Sequence, residues 1–196
     1  MRRIHEKKID DAKYYEKIWG EEFNTRPWYD AVRMRALIRD VKNYDEVIDI
    51  GAGVFGAVQY IAEKTPLKCS LTAYDQSYTA KEIVEKIAPE INYLVGECEV
   101  RLPFDDGSFD VVIAGEIIEH MEDPAAFCAE LCRITRGWVC LSTVDTNSEN
   151  AKKHGDYPEH IWEFTREDLV SFFEPHGVTT YEVVGDYHFI YFLKQW

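Results

Sequence analysis

With 196 residues, 46% of them hydrophobic, the chain can bury a core of ordinary size, and its length suits one domain and one active site. Acidic residues outnumber basic ones 36 to 22, and the formal charge of −14 disfavours long-range attraction to nucleic-acid phosphates or anionic lipid. The basic residues at the start are not followed by an apolar stretch of signal-peptide kind, no window approaches the ~18 apolar residues that span a bilayer, and the five cysteines lack paired zinc-type spacing, so a cytoplasmic chain with reduced, mostly buried thiols is expected.

Residues 1–43 are charged and aromatic, with a helical pattern over 31–41, and read as a helical lead-in or lid. Trp28 is expected in the core, whereas Tyr14, Tyr15 and Trp19 suit either a cover over the site or packing on the sheet. From residue 44 to 196, apolar runs of strand length alternate with helical patterns: 46–50 then 57–64, 70–74 then 79–87, 91–95, 109–114 then 125–133, and 138–143. Cys128 and Cys132 are four apart in the last of these helices and read as packing residues. Such β-α alternation predicts a parallel sheet with helices on both faces. A polar stretch over 144–161 reads as a loop at a strand's carboxyl end, where open α/β sheets bind ligands. Thr165 followed by Asp168 signals a helix start and His176-Gly177 its stop. Strands over 179–184 and 189–194, joined by Gly185-Asp186, read as a hairpin. The expected fold is α/β: a doubly wound, mostly parallel seven-stranded sheet with an antiparallel C-terminal edge hairpin, in a three-layer αβα sandwich.

Val47-Ile48-Asp49-Ile50-Gly51-Ala52-Gly53-Val54-Phe55-Gly56 is an apolar strand running into a glycine-rich turn and then a helix. Glycines there permit positive φ and a close ligand approach. Asp75 ends the next strand, where a carboxylate can accept both ribose hydroxyls of a nucleoside. Each acid also has a plainer reading, Asp49 as a cap of the turn and Asp75 as an ordinary strand-end acid, and the Gly51-x-Gly53-x-x-Gly56 spacing fits a dinucleotide-dependent oxidoreductase as well.

Further along stand Gly96-Glu97-Cys98-Glu99 and then Leu102-Pro103-Phe104-Asp105-Asp106-Gly107-Ser108-Phe109-Asp110. With the glycine turn, these make the chain resemble the class I S-adenosylmethionine-dependent methyltransferases from about residue 44 to the C-terminus. The resemblance implies S-adenosylmethionine as cofactor. It puts Asp49, Gly51, Ala52 and Gly53 at its methionine part, Asp75 at the ribose and Glu97 with the Cys98 backbone at the adenine, and Gln76 and Gly115 complete the cofactor-binding set. Phe55 stands where many relatives have a third glycine.

Methyl transfer from a sulfonium is an in-line displacement, so the protein mainly aligns donor and acceptor, with a base where a hydroxyl must lose its proton. Glu116-Ile117-Ile118-Glu119-His120 follows the fourth predicted strand of the glycine-turn domain, and if helical it puts Glu116, Glu119 and His120 on one side. His154, Asp156, Tyr157 and His160 occupy the later loop. The catalytic set expected is His120, Glu116 and His160, acting without a metal on a small-molecule oxygen or nitrogen acceptor; no nucleic-acid or membrane partner is expected. The same stretch, with His160 before Phe164-Thr165-Arg166, also resembles the small-RNA 3′-end 2′-O-methyltransferases, which would make Glu116, Glu119, His120 and His160 metal ligands. A non-catalytic nucleoside-binding module of the same fold is a third reading.

Overall fold

The structure is a computed structural model that describes residues 1–5, 11–22, 30–99, 101–149, 152 and 160–195. In chain order the elements are β1 (Arg2–Arg3), α1 (Asp11–Glu22), α2 (Ala31–Leu37), β2 (Glu46–Ile50), α3 (Ala57–Lys64), β3 (Ser70–Asp75), α4 (Tyr78–Ile87), β4 (Asn92–Val95), β5 (Phe109–Gly115), a 3-10 turn (Ile118–His120), α5 (Pro124–Ile134), β6 (Thr135–Val144), β7 (Trp162–Glu163), α6 (Arg166–Phe173), β8 (Gly177–Val184) and β9 (Tyr187–Lys194).

Seven strands form one sheet in the order β4-β3-β2-β5-β6-β9-β8. β2 runs parallel to β3 and β5, and β5 parallel to β6, whereas β9 is antiparallel to both β6 and β8. Alternation along β2 divides the core between two faces: Val47 packs with Met34, Leu37, Val58, Ile61 and Val84 of α2, α3 and α4, while Ile48 and Ile50 pack with Leu131, Leu169 and Phe173 of α5 and α6. Helices therefore cover both sides, as parallel strands buried on both faces require. Chain order reverses between β2 and β5, and the crevice at their carboxyl ends is where open sheets of this kind take ligands.

Local chemistry accounts for most element ends. Asp30, Ser77, Asp123 and Thr165 each cap a helix with a side-chain oxygen, and Thr165 with Asp168 completes a reciprocal capping box. Gly185 turns the β8–β9 hairpin at φ +62°, a conformation that costs glycine nothing. The first pattern-predicted helix ends at Leu37 rather than at residue 41, and β6 starts directly after α5 at Thr135 rather than at residue 138. In place of a connecting loop there, the Lys194 ammonium donates to the carbonyls of Cys132 (3.0 Å) and Thr135 (2.8 Å), satisfying the end of α5. A small pair that the pattern does not show, β1 with β7, fastens the chain start to the segment after His160. Trp28, His154, Asp156 and Tyr157 lie outside the described residues. Among the described residues, no helix is long and apolar enough to cross a membrane.

Candidate active site

Gly51 and Gly53 stand at φ +73° and +52°, so β2 turns into α3 through conformations that side chains resist. The turn is tied from three directions: Gly51 N–H donates to the Tyr74 carbonyl (2.8 Å), Gly53 N–H donates to Asp75 Oδ2 (2.9 Å), and the Tyr93 hydroxyl donates to the Gly53 carbonyl (3.0 Å). Asp75 Oδ1 accepts from Ser77 N–H (2.9 Å), so one half-buried carboxylate at the end of β3 joins the glycine turn to the start of α4. Asp49 is 3% exposed and accepts from Ala57 N–H (2.6 Å) and Val58 N–H (3.4 Å). It caps α3, whose N-cap residue Gly56 has no side chain to do so. Burial pushes its carboxyl up to about 7 against the pull of those two amides. A β-carbon on Gly56 would sit 2.5 Å from Asp49 Oδ2 and 2.6 Å from the Ala52 carbonyl, so this glycine, rather than Phe55, closes the turn. On the far side, Gly96 passes against the Tyr74 ring, whose hydroxyl donates to the Glu97 carbonyl (3.2 Å); Gln76 and Cys98 are half-buried and Glu97 is exposed. Side-chain-free turns flanked by the carboxylates of Asp75 and Glu97 are a donor and acceptor set that fits the nucleoside and amino-acid parts of S-adenosylmethionine.

α1 lies across this turn. A β-carbon on Gly53 would meet Trp19 Cζ2 at 2.6 Å, Tyr15 stacks on Trp19 at 6.3 Å, and the Glu16 carboxylate accepts from Tyr78 N–H (2.6 Å) and from the Thr79 hydroxyl at the start of α4. Tyr15 Oη also lies 3.3 Å from His120 Nε2.

Past Gly115 the expected helix is broken. Glu116 has φ +57°, a left-handed conformation rarely adopted with a side chain, and only residues 118–120 form a 3-10 turn. The three polar groups of this stretch therefore separate. Glu116 accepts from Ser142 Oγ (3.1 Å) and faces Arg33 Nη1 at 3.9 Å. Glu119 turns inward, where Oε2 accepts from Thr143 Oγ1 (3.0 Å) and Oε1 lies 3.8 Å from His160 Nε2. His120 packs edge-on to His160, ring centroids 5.0 Å apart. Ile161 N–H donates to the Glu119 carbonyl (2.9 Å) and Trp162 Nε1–H to the Met121 carbonyl (2.8 Å), which seats the His160 segment. Burial, then the charges of His120 and His5, lowers His160 to about 3. Burial, then the Glu116 charge, raises Glu119 well above the usual carboxylate range. One ligand atom from each of Glu119, His120 and His160 lies within 4.8 Å of the others, without Glu116. Sequence reasoning missed Arg33, Tyr74 and Tyr93; only the fold brings them to the site, across separations of 23 (Tyr74 to Glu97), 40 (Tyr93 to Gly53) and 83 (Arg33 to Glu116).

Residues 48–140 match the family model described as "Methyltransferase domain". The chain is 29% identical over 150 residues to a probable chloroplastic tocopherol O-methyltransferase of Oryza sativa, covering 64% of this chain and 41% of that one. It is 29% identical over 97 residues to norajmaline N-methyltransferase of Rauvolfia serpentina, 47% of this chain and 33% of that one. It thus spans less than half the length of the curated relatives it matches. Among solved structures, a Haloferax volcanii putative methyltransferase in complex with the Trm112 activator superposes with a TM-score of 0.76 at 15% identity, covering 93% and 98% of the two chains. A Thermotoga maritima S-adenosylmethionine-dependent methyltransferase, described as a possible histamine N-methyltransferase, superposes at 0.71 and 18% identity, covering 93% and 99%. The glycine turn, the sheet order with its antiparallel edge hairpin and these likenesses agree: the chain has the fold of these methyltransferases, and residues 48–140 are similar to the methyltransferase-domain family.

Proposed function

We propose that the protein moves the methyl group of S-adenosylmethionine to an oxygen of a small-molecule acceptor bound beside the carboxyl ends of β5 and β6. Bound at the glycine turn, the cofactor supplies an electrophilic methyl group. Gly51, Ala52 and Gly53 present backbone to its amino-acid end, Asp75 and Gln76 take the ribose, and Glu97 with the Cys98 backbone takes the adenine. α1 covers the turn through Trp19 and keeps water from the reacting groups.

The observation that carries the oxygen reading is the contact of His120 with the Tyr15 hydroxyl, beside a second histidine held neutral. An imidazole with its proton affinity at about 3 accepts protons poorly at neutral pH, so His160 walls and orients the pocket while His120 removes the hydroxyl proton. Glu116 holds the floor of the site from Gly115 onward. Both O- and N-methyltransferases occur among the relatives, and a histidine base is needed by a hydroxyl acceptor rather than by a free amine. In an assay of S-adenosylhomocysteine release over a panel of phenols and amines, turnover of phenols is expected, with His120→Ala lowering kcat by roughly 10²-fold or more. Turnover confined to amines and indifferent to His120 contradicts it.

The convergence of Glu119, His120 and His160 favours a second reading, a divalent cation held by those three groups next to a ribose hydroxyl acceptor. Turnover on a short RNA duplex that is lost with chelator and restored by Mg²⁺ or Mn²⁺ supports it, and turnover that survives chelation removes it.

A further inference from the structure

His188 is a buried titratable group that takes no part in the methyl transfer proposed above. It stands near the start of β9, opposite Thr143 of β6 and Val183 of β8, and is 7% exposed. Its Nδ1 lies 2.6 Å from the Tyr181 hydroxyl and its Nε2 3.5 Å from Asp145 Oδ1. Burial lowers its proton affinity further than the Asp145 charge raises it, so the ring is neutral at pH 7 and carries one N–H. A carboxylate can only accept, which puts that proton on Nε2, toward Asp145, and leaves Nδ1 to accept the Tyr181 O–H. Both ring nitrogens are committed, and the run Tyr181–His188–Asp145 has one consistent set of proton positions.

These side chains connect the two ends of one segment. Asp145 directly follows β6, where the polar stretch 144–161 leaves the sheet. Its N–H donates to the Asp186 carbonyl in the hairpin turn (2.7 Å), and its Oδ1 accepts from Asn147 N–H (2.9 Å), so the carboxylate that meets His188 also shapes the first turn of the segment. At the far end Arg166 opens α6, and its Cζ lies 5.3 Å from the Tyr181 ring centroid, within cation–π reach. Thr143, the neighbour of His188 across the ladder, donates to Glu119, whose carbonyl takes Ile161 N–H beside His160. An apolar side chain would fill this strand position without desolvating an imidazole, and a buried polar group is kept without loss only where its bonds are made. Here they are made toward the two places where the segment leaves and rejoins the core.

We propose that His188 is a positioning residue for methyl transfer. Through Asp145 on one side and Tyr181 with Arg166 on the other, it fixes both ends of the segment 144–161 to the edge hairpin, and with them the acceptor wall that finishes at His160. This role rests on the reading above that puts the acceptor beside the carboxyl ends of β5 and β6. His188 meets Tyr181 and Asp145 rather than the glycine turn, so cofactor affinity is independent of it.

Limited trypsin digestion with S-adenosylhomocysteine present reads the tether without any acceptor, because Lys152-Lys153 lies within the segment and cleavage of a locally opened state tracks its population. His188→Leu is expected to speed cleavage after Lys152 or Lys153 by roughly fivefold, while cleavage after Lys64 and Lys86 stays within about twofold of wild type. Asp145→Asn, which keeps the shape and removes the charge, should act in the same direction, and the double variant should be cut no faster than His188→Leu alone, the signature of a direct pair. Calorimetric affinity for S-adenosylhomocysteine should stay within about twofold of wild type in each. With whichever phenol or amine the wild type methylates, His188→Leu should raise the acceptor KM by a larger factor than it lowers kcat, and Tyr181→Phe should move both readouts the same way by less. Should His188→Leu fail to fold, Tyr181→Phe and Asp145→Asn carry the same test. Cleavage that is unchanged at Lys152-Lys153, or raised equally at every site, overturns the tether; faster cleavage with an unmoved acceptor KM overturns the positioning role. Absence of turnover with every phenol and amine overturns the acceptor reading and with it the role in methyl transfer, and the tether then stands or falls by the digestion alone.

Discussion

Asp49 and His160 are buried titratable groups that act on stability in opposite directions. Burial raises Asp49 from 3.8 to about 7, so the folded state holds a proton that the unfolded chain has released, and its contribution falls as pH rises through that window. His160 drops from 6.5 to about 3, so here the unfolded chain binds the extra proton, and its contribution is lost as pH falls through that window. Between pH 4 and 6.5 the two slopes oppose one another. Urea unfolding at pH 4, 5.5 and 7 should therefore show Asp49→Asn gaining stability relative to wild type as pH rises, and His160→Gln losing it. Unfolding curves that stay parallel to wild type across this range contradict both assignments. Residue order allows Asp49 both a ligand contact and a cap of the turn, and the cap is visible in the structure: its carboxylate is engaged by the first amides of α3, because Gly56 at the N-cap leaves them without a side-chain acceptor.

Elements divide into those whose ends are written in adjacent residues and those set by distant contacts. α6 is of the first kind. Thr165 and Asp168 satisfy each other's backbone N–H, so Thr165→Ala should cost about 1 kcal/mol and lower the melting temperature by roughly 2–4 °C, readable by calorimetry. A shift within 0.5 °C would show that the box carries no net stability. The segment 116–120 is of the second kind. Its residues have helical spacing, yet Glu116 adopts φ +57° because its amide pairs with the Ser142 carbonyl (3.0 Å) as an extension of the β5–β6 ladder. Sheet pairing prevails over helical spacing there, and that choice sends Glu116 to Arg33 and Glu119 to His160. α1 belongs to the second kind too: its aromatic residues suited either a cover or a core helix, and Trp19 against Gly53 with Glu16 at α4 places it across the turn.

Across the whole molecule, the last helix and the hairpin close the sheet over one core. Phe173 of α6 is fully buried and meets Phe192 of β9 with ring centroids 5.8 Å apart. Phe173→Ala removes a large buried side chain and should destabilise by about 3–5 kcal/mol, measured as a lower urea midpoint at an unchanged slope. A changed slope would mean that α6 and the hairpin unfold separately from the parallel strands. The antiparallel β9 beside β6 also carries Tyr187 to Arg33, so the edge hairpin supports the site as well as the core.

The sequence by itself determined the alternation of strands and helices, the capped helix starts, the hairpin and the glycine turn, because each depends on residues within a few positions of one another. It also determined the cofactor class, through the company of Asp49–Gly53, Asp75, Glu97 and the segment 102–112. The tertiary structure alone decided which polar groups meet. Arg33 with Glu116, Tyr15 with His120 and Glu119 with His160 are separated by 83, 105 and 41 positions, and local periodicity carries no information over such distances. Their meeting depends on parallel strands delivering side chains to one edge of the sheet, and on a left-handed residue at the end of β5 that turns one carboxylate away from the next.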